Sequence, residues 1–214
     1  MFTRNTIPME TQKKVRDILA MLATTSHLKF TRRYGSSLKK KADTSAAHSW
    51  QLAFAAYSLV TEFSLSLDSC KCLGLALVHD LPEVYTGDKD AVDILNGKVR
   101  RKEKNEAEAS CMRNFNETFI SAQSFYDLWE EYKEQKTLEA KFVNALDKLE
   151  SFIHLNEHGI EDYTLDVFHS YYPASAVKSF CDAFQSEEPV GTLFELLKEE
   201  LKIKYEKRGV QWKE

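Results

Sequence analysis

CLGLALVHDLPEVYTGD, residues Cys72 to Asp88, is the stretch on which the reading of this chain turns. An apolar run, Leu73, Leu75, Leu77 and Val78, carries the adjacent pair His79 and Asp80, and Pro82 follows. Burying an imidazole and a carboxylate at the end of so apolar a segment is costly unless both find partners. A divalent cation satisfies both at once, because neutral imidazole and carboxylate are ordinary metal ligands. A buried His–Asp hydrogen bond is the other reading the dipeptide allows. Pro82 marks the end of the helix, since the residue before a proline is pushed away from the α conformation. Glu83 lies four positions after His79, so one more helical turn brings it to the same side. Gly87 then permits a tight turn before Asp88.

Outward from this stretch, two further segments carry polar residues among apolar ones. SAAHSWQLAFAAYSLVTEF, capped by Thr44 or Ser45, is apolar almost all round (Trp50, Leu52, Phe54, Tyr57, Leu59, Val60, Phe63) and is expected in the core. His48 sits in its first turns. In TLEAKFVNALDKLESFIHLNEHG, the residues Leu138, Phe142, Ala145, Leu149 and Phe152 form one stripe, with Gly159 as its stop. Asp147 lies at the border of that stripe, a place for a salt-bridge partner or for an inward ligand. Upstream, HLKFTRRYGSS sets Arg33 and Tyr34 at the mouth of a Gly-Ser loop. A guanidinium and an aromatic there can clamp a phosphate and stack on a ring; a surface arginine beside a half-buried tyrosine fits the residues equally.

Residues 9–25 read as an amphipathic helix through Val15, Ile18, Leu19 and Leu22. Charged helices over about 98–115 and 121–135 read as outer elements without chemistry. The tail gives helices over about 165–184, interrupted at Pro173, and 192–206. With no repeat or linker, the expected architecture is a single all-α domain over residues 1–214. It has about eight helices, a core over about 28–155 and a C-terminal extension over 160–214.

Composition narrows the function classes. The 214 residues are 43% hydrophobic and 29% charged, and only 7 Gly and 4 Pro favour helices over turn-rich β structure. A net charge of −4 argues against a nucleic-acid partner. Cys70, Cys72, Cys111 and Cys181 form no CxxC pair. The N-terminus holds no signal-like apolar stretch, and no run approaches the ~18 apolar residues of a membrane span. A cytoplasmic protein with no membrane partner is expected.

Taken together, His48, His79–Asp80 and Asp147 follow an H…HD…D order that resembles the HD-domain superfamily of metal-dependent phosphohydrolases, and within it the 5'-deoxynucleotidase branch. The likeness runs from about Leu28 to Asp147, through LKFTRRY, TSAAHSWQLA, ALVHDLPEVYTGD and NALDKLE. The resemblance implies that His48, His79, Asp80 and Asp147 hold one divalent ion, Mn, Co, Fe or Mg. It implies that Glu83 and Asp88 lie near the reacting water and substrate, that Arg33 meets the phosphate and that Tyr34 lies against the sugar. The expected activity is hydrolysis of 5'-(deoxy)nucleoside monophosphates. A homodimer is also expected, through the tail aromatics Phe168, Tyr171, Tyr172 and Phe184. One departure stands out: the branch usually has Glu immediately before the first histidine, where this chain has Ala47. Two rivals remain: an HD-type triphosphatase or phosphodiesterase, disfavoured by the few cations near Arg33, and a non-catalytic ligand-binding module, disfavoured by Glu83 and Asp88.

Overall fold

Three side-chain caps start the helices that carry the site. Thr44 Oγ1 accepts the Ala47 amide at 3.2 Å, Asp68 Oδ1 the Lys71 amide at 3.0 Å, and Thr137 Oγ1 the Ala140 amide at 3.3 Å. Each satisfies a backbone donor that the first helical turn leaves without a partner. The computed structural model describes residues 7–40 and 43–214. Among them the helices run α1 (Met9–Thr25), α2 (Ser45–Glu62), α3 (Ser69–Val78), α4 (Glu83–Thr86), α5 (Ala91–Leu95), α6 (Arg101–Thr118), α7 (Gln123–Glu134), α8 (Leu138–His154), α9 (Ala174–Phe184) and α10 (Val190–Glu206). Eight of these have ten residues or more, as the sequence pattern predicts, and the chain is all-α apart from two three-residue strands.

Helix α8 is the central post. Phe142, Val143, Ala145, Leu146, Leu149 and Phe152 are all buried on it, and α2, α3, α7, α9 and α10 pack around it. Leu52 and Ala56 of α2, Leu75 and Ala76 of α3, Phe180 of α9 and Leu201 of α10 close this core. Each fully buried Leu or Phe side chain contributes about 1.5–3 kcal/mol. A smaller cluster of Met21, Leu28, Val78, Met112, Phe115 and Trp129 joins α1, α3, α6 and α7.

Two apolar stripes do not go where their pattern points. On α1, Val15, Ile18, Leu19 and Leu22 are exposed and only Met21 is buried. On α2, Trp50, Phe54 and Tyr57 face outward, because α3 and α8 cover only the side bearing His48, Leu52, Ala56 and Val60. The tail also departs from expectation. Residues before Pro173 form a strand, β1 (Val167–His169), paired in parallel with β2 (Gln211–Lys213), and Phe168 stacks on Trp212 at 5.1 Å. Helix α9 starts only after Pro173, which occupies its N-cap.

The loop of Arg33 and Tyr34 is pinned from three directions. The Arg33 amide bonds to the Asp43 carbonyl at 2.9 Å. Asp90 Oδ2 accepts the amides of Ser36 and Ser37 and the Ser37 hydroxyl at 3.0, 2.9 and 2.8 Å, while its Oδ1 caps α5. Thr164 donates to the Ser37 carbonyl at 3.1 Å, tying in the tail. Tyr34 is held at φ +58°, a left-handed conformation that costs a bulky residue energy and persists because its surroundings fix it.

Ala47 sits at the third position of α2, exposed, and does not line the cleft that holds the site. A glutamate there is a capping-box residue, whose partner would be the Thr44 amide. In this chain Asp43 Oδ1 accepts that amide instead, at 2.7 Å. Ala47→Glu is therefore expected to stabilise the helix start by about 0.5 kcal/mol through the N-terminal dipole, with a small rise in melting temperature. Calorimetry checks this. Loss of metal affinity in the variant would instead return this position to the site.

Candidate metal centre and cleft

Helices α2 and α8 meet the turn that follows α3 so that His48 of α2, His79 and Asp80 of the turn and Asp147 of α8 converge. His48 Nε2 lies 3.2 Å from His79 Nε2 and 3.1 Å from Asp147 Oδ1. His79 Nε2 lies 3.1 Å from Asp80 Oδ2 and 3.8 Å from Asp147 Oδ1, and His48 Nε2 lies 3.8 Å from Asp80 Oδ2. Both histidines are buried. The ligand atoms of His48, His79 and Asp80 all fall within 4.8 Å of one another.

The tautomers decide what this cluster can hold. His79 Nδ1–H donates to the Ala76 carbonyl at 2.9 Å, and His48 Nδ1 hydrogen-bonds the Glu150 carboxylate. With both Nδ1 atoms so engaged, both Nε2 atoms turn lone pairs inward, toward two carboxylate oxygens. Four electron-pair donors converging in a buried space repel one another unless a cation or a proton lies between them. Burial and the Arg33 charge pull the His48 pKa down, but hydrogen bonds to Asp147 and Glu150 prevail and push it up to about 9. A divalent ion would take the place of that proton. The donor set, two imidazoles and two carboxylates on three rigid helices, fits such an ion.

Sequence reasoning missed the residues that orient these donors. Glu150, one helical turn after Asp147, is buried and also bonds Arg33 Nη1 at 3.3 Å, so a single carboxylate holds both His48 and Arg33. Asp147 Oδ2 accepts the Tyr132 hydroxyl at 2.8 Å and the Lys148 ammonium at 2.6 Å. Although burial works to raise Asp147, Lys148 above all holds it well below the ordinary carboxylate range. Such outer partners fix ligand orientation and tune basicity. The signal for Glu150 was its spacing of three from Asp147; nothing on α7 marked Tyr132.

The cluster forms the floor of a cleft of about 890 Å³, within the range of small-molecule sites. Arg33, Tyr34, Glu83 and Asp88 line it together with Asp80 and Asp147, so the expected site residues share one cavity, with His48 buried beneath it. Glu83 is buried on α4, where its Oε2 accepts the Ser45 hydroxyl at 2.5 Å. Burial first, then the charges of Asp80 and Asp88, raise its pKa well above the usual value. Burial likewise leads in pushing Asp88 up to about 6. Tyr34 is fixed in place, its ring stacked on His154 at 4.9 Å.

The outer helices are not without chemistry, contrary to their sequence reading. Lys104 of α6 and Lys133 of α7 line the cleft, as does Lys148 of α8. Each is held by a carboxylate: Glu108 takes Lys104 and Lys133 at 2.9 Å each, and Asp147 takes Lys148. Arg32, by contrast, turns away to the Lys39 carbonyl and does not line the cleft.

An all-helical scaffold with a His, His-Asp and Asp cluster facing a polar cleft defines a class of metal-site protein. The sequence matches the HD domain over residues 25–177, and the chain belongs to the HD-domain family. It is 33% identical over 147 residues to 5'-deoxynucleotidase HDDC2 of Bos taurus, covering 67% of this chain and 68% of that protein. The human 5'-deoxynucleotidase HDDC2 is 27% identical over 167 residues, 76% of this chain and 78% of its own. In fold, the chain resembles a predicted metal-dependent phosphohydrolase from Magnetospirillum magnetotacticum MS-1, with a TM-score of 0.70 at 20% identity, over 97% of this chain and 100% of that one. A protein of Pyrococcus horikoshii OT3 matches with a TM-score of 0.62 at 21% identity, over 87% and 99% of the two chains.

Glu150→Gln tests the orienting network. The change removes the charge that holds His48 and Arg33 while nearly preserving shape. Affinity for Mn or Co, measured by calorimetric titration, is expected to fall about 10- to 100-fold with helicity retained. Unchanged affinity would mean that His48 needs no such support.

Proposed function

We propose that this protein is a metal-dependent phosphomonoesterase acting on 5'-deoxynucleoside monophosphates. One observation carries the reading: four electron-pair donors converge on the floor of a cleft that also presents Arg33, Glu83 and Asp88. The relatives named 5'-deoxynucleotidase support the substrate class. His48, His79, Asp80 and Asp147 would hold one divalent ion, of Mn, Co, Fe or Mg type, which when bound supplies positive charge against the phosphate.

The remaining chemistry falls to the chain's own side chains. Arg33 Nη1 is bonded to Glu150, and the rest of its guanidinium fork serves a phosphate. Glu83 is anchored through Oε2 by Ser45, which leaves Oε1 to take a proton from the attacking water. Burial and the charges of Asp80 and Asp88 raise its pKa, which makes its carboxylate a stronger base than an ordinary one. As the water oxygen bonds to phosphorus, the bond from phosphorus to the sugar oxygen breaks, and the leaving oxygen takes a proton. Asp88 is placed to hold that water or the leaving oxygen. Tyr34, locked against His154, cannot swing aside and crowds a 2'-hydroxyl.

The cleft carries more cations than the sequence near Arg33 offers, which favours a triphosphate reading. Glu108 and Asp147 offset two of the three charges on Lys104, Lys133 and Lys148, however, so these lysines together add only one net positive charge. Phosphate release from dAMP, AMP and dATP with added Mn or Co separates the readings. The expected order is dAMP fastest, with AMP lower by roughly 10- to 100-fold, the cost of leaving a buried hydroxyl unmet. Asp80→Ala is expected to lose metal and activity. Glu83→Gln is expected to keep metal and lose about 10²-fold or more in turnover. Equal rates on dAMP and AMP discard the sugar preference, and full turnover in Glu83→Gln removes Glu83 from the reaction.

The same reading includes a homodimer in the cytoplasm, and a single functional unit over residues 1–214. Among the described residues no helix is long and apolar enough to cross a membrane. Of the tail aromatics only Tyr171 is exposed, at 40%, while Phe168 is buried and Tyr172 and Phe184 are half-buried. The outward face of α2 is the better candidate: Trp50 and Phe54 are 63% and 60% exposed, stacked at 5.7 Å, with Tyr57 on the same stripe. Light scattering is expected to give twice the 24.7 kDa chain mass, reverting to one chain in Trp50→Lys. A wild-type mass near 24.7 kDa at micromolar concentration rejects the dimer.

A further inference from the structure

The cleft extends beyond the metal centre, and its far end has a different character. On the tail side it is lined by His169, Tyr171 and Tyr172. Tyr171 is 40% exposed, too open to be a core residue, and His169 and Tyr172 are half-buried. Two of the rings engage each other's polar atoms: His169 Nδ1 and the Tyr171 hydroxyl are hydrogen-bonded at 2.9 Å, with the rings perpendicular at 5.4 Å. The end toward α5 offers instead the aliphatic residues Val92, Ile94 and Leu95.

Lys148 measures the span between the two chemistries. Its ammonium is 2.6 Å from Asp147 Oδ2 and 5.9 Å from the centre of the Tyr172 ring. One side chain therefore reaches both Asp147 and the aromatic end, so the metal centre and the aromatic rings share one continuous cleft wall. The aromatic end is also firmly built. β1 pairs with β2 just before it, the Ser170 amide and hydroxyl both donate to the Lys213 carbonyl at 3.0 and 2.9 Å, and Phe168 is clamped on Trp212.

We propose that His169, Tyr171 and Tyr172 form the subsite for the nucleobase, held by stacking rather than by hydrogen bonds to its edge. This rests on the phosphomonoesterase reading for the placement of the phosphate. Every base presents a π face, so such a subsite accepts all of them and favours the larger purines. It deepens the reading in one respect: it makes affinity depend on the base while the chemistry depends on the phosphate.

The test compares dAMP with 2-deoxyribose 5-phosphate, which keeps sugar and phosphate and lacks the base. Tyr171→Ala and Tyr172→Ala are each assayed for turnover on both compounds, and dAMP binding is measured separately by calorimetry. Loss of one stacking partner is expected to weaken dAMP binding, and to raise its KM, roughly tenfold or more with kcat little changed. Kinetics on the base-free compound are expected to stay as in wild type, and Tyr172→Phe to behave as wild type on both. If dAMP binding is unaltered in Tyr171→Ala and Tyr172→Ala, or if the base-free compound suffers equally, the subsite is wrong. If wild type binds dAMP without hydrolysing either compound, the phosphomonoesterase reading falls and the subsite is judged on the binding data alone. No dAMP binding by wild type overturns the subsite.

Discussion

One buried carboxylate, Glu150, ties the site to the fold. It bonds His48 Nδ1 on α2 and Arg33 Nη1 on the preceding loop, so a buried imidazole and a guanidinium at the cleft share one support. Its burial is tolerable because two positively polarised groups meet it, and an unpaired carboxylate there would cost far more than either bond contributes. The bond to His48 also sets a tautomer, which directs the Nε2 lone pair inward. Burial works to raise the Glu150 pKa, but the hydrogen bond and charge of His48, with the charge of Arg33 after them, hold it below its ordinary value.

A metal-ready cluster requires helices that do not yield, and α8 provides that stiffness. It is buried for most of its length, and the apolar layers above and below Asp147 fix the height at which that carboxylate emerges. Helices α2 and α3 pack on it and on each other, which brings His48 and His79 to the same level. The polar centre is thus surrounded by a wall of Leu, Val, Phe and Ala side chains. Low polarity around it strengthens every charge interaction inside, and it makes an incomplete set of partners expensive.

Much of this was legible because metal chemistry and helix periodicity both leave short-range traces. The His79–Asp80 pair at the end of an apolar run, the border position of Asp147 and a cap at Thr44 or Ser45 are readable from local spacing. What failed to show was whatever depends on a distant neighbour. The stripe on α1 is real as a pattern, yet periodicity cannot say whether another element covers it, and among the described residues none does so for Leu19 or Leu22. Tyr132 looked like an ordinary aromatic of an outer helix, because only the packing of α7 against α8 brings its hydroxyl to Asp147. Phe168 looked helical because its strand partner, Trp212, lies far along the chain.

The tail illustrates why the extension cannot be treated as an appendage to the core. Leu38 of the Arg33 loop bridges to Tyr163, and Lys39 donates to the Asp162 carbonyl, so the loop that carries Arg33 leans on the start of the tail. Tyr163 in turn packs edge-on against Tyr205 of α10, and Phe168 contacts both Tyr205 and Trp212. A chain of buried rings therefore runs from α10 and the last strand to the rim of the cleft. Aromatic contacts of this kind bury large areas with few rotatable bonds, which makes them suited to holding a rim in one shape. The position of Arg33 depends on Glu150 from below and on this ring stack from the side, so residues after Val190 help to shape a site whose ligand set ends at Asp147.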